Sequence, residues 1–203
     1  MAMVEHNTAV TIIACGIFTD ELQAVLAKQK VGADIRWIDA ALHTDLPHLE
    51  AEINSSLAEV TGTAAAPCVL FGSGCLPGIS DIVQRHGVHI LPAGNCIDAL
   101  LGSEERLKYE AEGCFLMTPG WVRAWPSIVA SMGWDAVDVR INLGRYKKIL
   151  VFDAGIHPLT DEEVLDFFDL TELVVEVRPL DLGHFSSLVE NFIAQLRRPG
   201  EIA

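Results

Sequence analysis

Ala66-Pro67-Cys68-Val69-Leu70-Phe71, followed by Gly72-Ser73-Gly74-Cys75, decides the fold class. Four apolar residues in succession, with no polar alternation, read as a strand covered on both faces. The small residues behind them read as a tight turn into a helix, which the pattern places over residues 79–86. The same unit recurs on both sides. Residues 10–15 form a β-branched apolar run that stops at Gly16, and residues 19–30 follow as a helix with Thr19 or Asp20 as N-cap. Residues 34–39 read as a strand and 46–60 as a helix, with Pro47 in the first turn, where a missing N–H costs little. Beyond the central stretch come strand 89–92 and one long helix from Cys96 to about Glu112, stopped by Gly113. Strand 114–117 precedes helix 122–132, and strand 148–152 precedes helix 160–168. There Thr160 and Glu163 make a capping-box pattern. Strand 173–177 and helix 185–196 finish the series.

About seven strand–helix alternations with continuous apolar strands predict an α/β fold. The expected architecture is three-layer and Rossmann-like, a doubly wound, mostly parallel sheet. No low-complexity segment or linker interrupts it, so residues 1–203 read as a single α/β domain.

Composition narrows the function. Of 203 residues, 50% are hydrophobic and 21% charged, enough for a core and incompatible with global disorder. Lys plus Arg number 14 and Asp plus Glu 28, a formal net charge of −14. A phosphate-backbone binder or an anionic membrane surface calls for the opposite sign, so neither nucleic acid nor membrane is expected as a partner. Residues 1–7 carry no basic cluster, and no small-residue cleavage site follows the apolar run 10–18. No stretch approaches the ~18 apolar residues of a membrane helix. The expected location is the cytoplasm. Cys15, Cys68, Cys75, Cys96 and Cys114 are odd in number and include no CxxC pair. In that compartment this leaves metal binding, catalysis or core packing in place of disulfides.

Ligands of open parallel sheets bind at the carboxyl ends of the strands. On that edge the assignment puts Cys15, Cys75, Cys96 and, after strand 34–39, His43. Three thiols and an imidazole suit zinc, or iron in some settings. Free cysteine is also one of the most buried residue types, and simple packing stands beside the metal reading. Cys68 and Cys114 fall within or at the opposite ends of strands and are assigned to the core. His48, His86, His89, His157 and His184 show no partner pattern and read as solvated.

Gly72-Ser73-Gly74 could turn backbone N–H groups toward an anion. Pro77 and a late Gly78 spoil G-x-G-x-x-G, and there is no Walker lysine, so no nucleotide is expected. A steric role, presenting Cys75, is the alternative. Trp121, in Thr118-Pro119-Gly120-Trp121, stands either as the wall of a pocket beside the crevice or as packing against a helix. Asp39 and Asp153 lie at strand ends, with nothing in the sequence to bring them together as a catalytic pair.

Ala14-Cys15-Gly16, Leu42-His43, Phe71-Gly72-Ser73-Gly74-Cys75, Asn95-Cys96-Ile97, Leu100-Leu101-Gly102-Ser103 and Thr118-Pro119-Gly120-Trp121 occur in this order. Together they resemble the domain-of-unknown-function family 1638, from about Val10 to the last helix. The family's motif cysteines and histidine match Cys15, His43, Cys75 and Cys96. Two departures stand next to them: Thr44 separates His43 from Asp45, and Gly94-Asn95 precedes Cys96 where His-Asp is common. Members look like companions of corrinoid-dependent methyl-transfer systems. The resemblance implies a zinc- or iron-binding protein of one-carbon metabolism, either a metal-dependent methyltransferase or an accessory protein. Its partners would be a small-molecule substrate or methyl carrier and a corrinoid protein. Two other readings stand beside it. One is a metal-free small-molecule binding or regulatory domain holding its ligand on Gly72, Ser73 and Gly74, with Trp121 at the side. The other is a redox protein using the thiols directly or as iron–sulfur ligands.

Overall fold

A computed structural model describes residues 10–60 and 67–196. The reading of residues 1–7, and Ala66 in the third strand, lie outside the described residues. The fold is α/β and Rossmann-like. All strand pairs among the described residues are parallel, and they divide between two sheets, ordered β2-β1-β3-β4 and β5-β6-β7.

The first sheet contains β1 (Val10–Cys15), β2 (Ala33–Ile38), β3 (Pro67–Leu70) and β4 (His89–Ile90). β1 is buried at all six positions because β2 and β3 flank it and helices cover both faces. β2, at the sheet edge, is only partly covered and tolerates Asp34 and Arg36. The intervening helices are α1 (Thr19–Gln29), α2 (Leu46–Val60) and α3 (Ile79–Arg85). Short 3-10 turns at Gly16–Phe18 and Ala40–Thr44 leave the carboxyl ends of β1 and β2.

The helix expected from Cys96 to Glu112 is two helices, α4 (Cys96–Leu101) and α5 (Ser103–Ala111). Gly102 separates them at φ +84°, a left-handed conformation that glycine adopts without penalty and that no helix interior accommodates.

The second sheet joins β5 (Cys114–Met117), β6 (Lys148–Asp153) and β7 (Val175–Pro179). Its helices are α6 (Pro119–Met132), α7 (Ala136–Leu143) and α8 (Asp161–Thr171). α6 starts three residues before the apolar pattern does, because the Thr118 side chain caps it and Pro119 occupies its first turn. α7 opens on a reciprocal capping box between Asp135 and Asp138. The last helix, α9 (Gly183–Leu196), returns to the first half: Phe185, Val189, Phe192 and Ile193 join its core, and Phe185 stacks on Phe18 at 5.4 Å.

The two sheets meet through their carboxyl ends. α6, leaving β5, packs on both 3-10 turns of the first sheet. A Cβ at Gly120 would stand 3.0 Å from the carbonyl oxygen of Ile17, so only glycine permits this approach without displacement. The sequence-predicted carboxyl edge is therefore a crevice with a roof. No helix among the described residues is long and apolar enough to cross a membrane.

Candidate functional site

Cys15 ends β1 and is buried, one residue before the first 3-10 turn. Cys75 sits half-buried in the turn after β3, and Cys96 is the first residue of α4. The glycines of the Gly-Ser-Gly turn explain how the last two come together. A Cβ on Gly72 would lie 2.4 Å from both the Asn95 Cα and the Gly94 carbonyl oxygen. One on Gly74 would lie 3.0 Å from the same oxygen. The turn therefore lies directly against the loop that begins α4. Ser73 N–H donates to Ala93 O at 2.9 Å and Gly74 N–H to Gly94 O at 2.8 Å, locking the two loops together.

These bonds bear on the anion reading. The Cys75 N–H is also taken, by Gly72 O at 3.0 Å. The amides of Ser73, Gly74 and Cys75 are thus spent inside the protein, and the turn's geometry serves the placement of Cys75.

The α4 loop is held from its other side by a buried carboxylate. Asp98 accepts from Gly94 N at 2.8 Å and from Arg106 Nε at 3.0 Å. Burial alone would raise its pKa, but these donors and Ser103 outweigh it and hold the carboxyl below its ordinary range. Asn95 caps the helix by accepting from Asp98 N at 2.8 Å.

The three thiols share one electrostatic neighbourhood: Cys15 feels both Cys75 and Cys96, and Cys96 feels Cys75. Burial pushes all three thiols up. Cys96 reaches about 12, even though Trp121 Nε1 donates to its sulfur at 3.1 Å and favours the thiolate. Cys15 is raised further by burial and by its two cysteine neighbours and Asp39. Uncompensated, these are protonated and unreactive.

His43 lies in the 3-10 turn after β2. Its ring stacks on Phe71 and meets Trp121 edge-on, both at 5.9 Å. Phe71 immediately precedes the Gly-Ser-Gly turn, and Trp121 donates to Cys96. His43 is thereby tied to the neighbourhoods of two of the three thiols. Its Nδ1 is 3.0 Å from the Ala40 carbonyl oxygen. A carbonyl can only accept, so Nδ1 carries the proton and Nε2 keeps its lone pair. Burial lowers the His43 pKa against the opposing pull of that carbonyl and favours this neutral form.

Trp121 both packs on His43 and walls a cavity beside Cys96. Cys68 and Cys114 are in the core. Of the histidines read as solvated, His48 pairs with Asp45, His86 reaches Asn54 at 3.3 Å and His157 lies 3.6 Å from Asp20. The strand-end carboxylates hold their own loops. Asp39 accepts from Ala41 N at 2.9 Å, and Asp153 from Gly155 N at 2.7 Å and Leu159 N at 3.3 Å.

Among the described residues, no three His, Cys, Asp or Glu side chains stand close enough to share one metal ion as they are placed. What the fold supplies is the donor set at one edge, with the imidazole already in the tautomer that leaves Nε2 open. Cys75 and His43 are the half-buried members, and Cys15 and Cys96 the buried ones.

A family model described as "Protein of unknown function (DUF1638)" matches residues 37–189. No curated protein matches the chain.

Proposed function

The chain belongs to the DUF1638 family, and we propose that the carboxyl edge of its first sheet binds one soft metal ion, zinc or iron. The ligands are Cys15, His43, Cys75 and Cys96. The observation that carries this reading is that Cys15 at the end of β1, Cys75 in the turn after β3 and Cys96 at the start of α4 lie near enough to act on one another electrostatically. The donor chemistry fits, since sulfur and imidazole are the ligands such ions take. His43 adds support: a metal-binding imidazole usually fixes its tautomer by donating its other N–H to a carbonyl or carboxylate, as Nδ1 does to Ala40. Trp121 orients the Cys96 sulfur through its indole N–H. The thiols give up their protons on binding.

When bound, such an ion can activate a thiol or hold a methyl acceptor. The resemblance to companions of corrinoid methyl-transfer systems directs the proposal to one-carbon chemistry with a corrinoid partner, as enzyme or accessory protein. Four protein ligands would favour an accessory role, and an exchangeable fourth position would favour catalysis.

The test is the metal content of protein purified without oxygen and without a metal-binding tag, by elemental mass spectrometry. About one equivalent of zinc or iron per chain is expected, lost in Cys75→Ser and in His43→Ala. Metal-free protein with every thiol titratable would overturn the proposal.

A further inference from the structure

A cavity of about 540 Å³ opens beside Cys96, between the start of α4 and the second sheet. That is the size of a small-molecule site. Its walls are unusually aromatic: Phe115, Trp121, Trp125 and Tyr146, with Ile97 and Met117 between them. Phe115 lies 4.9 Å from Tyr146 and 5.8 Å from Trp125, so three of the rings are already held against one another.

The polar side chains on the wall each have a partner. Asn95 Oδ1 caps α4, Glu110 accepts from Arg106 at 2.6 Å, and the Tyr146 hydroxyl is 3.1 Å from an Arg145 nitrogen. Trp121 is committed to Cys96. No basic residue lines the cavity, and its acidic one, Glu110, is paired. Nothing there selects a charged ligand.

Two polar features are unspent. Four consecutive residues of β5, Cys114 to Met117, line the cavity, and β5 is an edge strand paired on one side by β6 and on the other by no strand among the described residues. Half of an edge strand's amide groups point away from its partner. In addition, Trp125 Nε1 is buried without a hydrogen-bond partner among the described residues. An unmade bond of that kind is destabilising. It marks a wall whose packing the protein's own groups do not complete.

We propose that this cavity binds a flat, uncharged nitrogen heterocycle. The aromatic walls grip its faces, and the free side of β5 hydrogen-bonds along one of its edges. Stacking suits the rings, and a heterocycle with alternating donors and acceptors matches the alternating amides of a strand. The ligand would lie against the Cys96 side of the thiol cluster. The inference goes beyond the metal reading and stands without it, because none of its arguments uses an ion.

Lumichrome, an uncharged tricyclic nitrogen heterocycle, is the probe, followed by its fluorescence on titration with protein freed of metal by chelation. N-phenyl-1-naphthylamine, aromatic and apolar but lacking an alternating donor–acceptor edge, is the comparison. Saturable binding of lumichrome is expected, tighter than that of the naphthylamine. Tyr146→Ala should weaken it by about tenfold, the loss of one stacking wall. Trp125→Phe, a milder change, should weaken it in the same direction and serves if Tyr146→Ala does not fold. Absence of saturable binding overturns the proposal, as does equal affinity for the naphthylamine or undiminished binding in the folded variants. Metal analysis reads the thiol cluster separately, so either idea can fail alone.

Discussion

Gly72 and Gly155 stand at corresponding places, just beyond the carboxyl end of a central or near-central strand, one in each sheet. A Cβ on Gly72 would strike backbone at 2.4 Å, whereas one on Gly155 would meet nothing within 4 Å. The contrast runs through the two halves. The first closes by pressing loop on loop and sealing the Asp98 carboxylate inside. The second ties its loops with contacts that water still reaches, such as Asp153 to Gly155 and Arg123 to Glu163. The first sheet therefore carries its edge side chains on backbone already satisfied by other backbone. Asp153, across the crevice, is by contrast consumed by its own turn.

The sharpest break of that contrast is a single methyl group. Gly72→Ala should destabilise by more than about 3 kcal/mol or prevent folding, because the obstacle is backbone and cannot swing aside. Gly155→Ala, at φ +70°, meets only conformational strain and should cost about 1 kcal/mol. Urea unfolding followed by circular dichroism measures both. Equal losses would remove the distinction between the halves.

Next in size is Arg106→Ala. It strips the buried Asp98 of its cation and frees the α4 loop that Gly72 rests on. The expected loss is about 3 kcal/mol at pH 7. It should shrink as pH falls below about 4, the ordinary carboxylate range, because the fold holds the Asp98 pKa lower still and that contribution is lost as the folded carboxyl takes up its proton. A loss unchanged from pH 7 down to pH 3 would mean that Arg106 acts by packing alone.

Glu21 tests the seam between the halves. Burial first, then Asp20 and Asp153, raise its pKa to about 7 from an ordinary 4.5. Below pH 4.5 the group is protonated in both states and costs nothing. Between 4.5 and 7 the unfolded chain loses the proton and the folded one keeps it, so stability falls as pH rises, and the full penalty holds above 7. Glu21→Gln should match the parent at pH 4 and exceed it at pH 8 by up to about 3 kcal/mol. A pH-independent difference would mean that Glu21 ionises alike in the folded and unfolded chain and that neither burial nor its acidic neighbours hold its proton.

How much of this the sequence discloses follows from the range of the forces involved. β1, α2 and β5 begin and end where the apolar pattern says, since burial writes a continuous run in the strands and a one-sided stripe in the helix. The split at Gly102 is less legible, because a glycine within a helical pattern does not declare its φ. α7 had a signal in Asp135 and Asp138, two residues three apart that form a capping box without the usual Ser, Thr or Glu. The division into two sheets depends on pairing between distant strands, which local pattern does not encode. At the site, residue type and strand end place Cys15, Cys75, Cys96 and His43 at the carboxyl edge, but among the described residues no three such side chains stand close enough to share an ion. The bond from Trp121 to Cys96, 25 residues apart, and the cavity along β5 arise only from the way the halves meet.

The smallest expected effect belongs to the second half's surface tie. Arg123 donates to both oxygens of Glu163 and to the carbonyls of His157 and Pro158. It thus binds α6 to the loop between β6 and α8. The Arg123 guanidinium first, then the Thr160 N–H, draw the Glu163 pKa down to about 2 from 4.5. A depressed carboxylate contributes stability above its unfolded pKa and loses it as pH falls from about 4.5 toward 2. Both partners are about one-third exposed, so screening by water leaves only about 1 kcal/mol of the pairing. Arg123→Ala should therefore cost about 1 kcal/mol at pH 7, less in high salt and almost nothing at pH 2. Thermal unfolding at low and high ionic strength separates the outcomes. A salt-independent loss as large as that of Arg106→Ala would show that this loop, too, is closed by buried contacts, and the two halves would then be built alike.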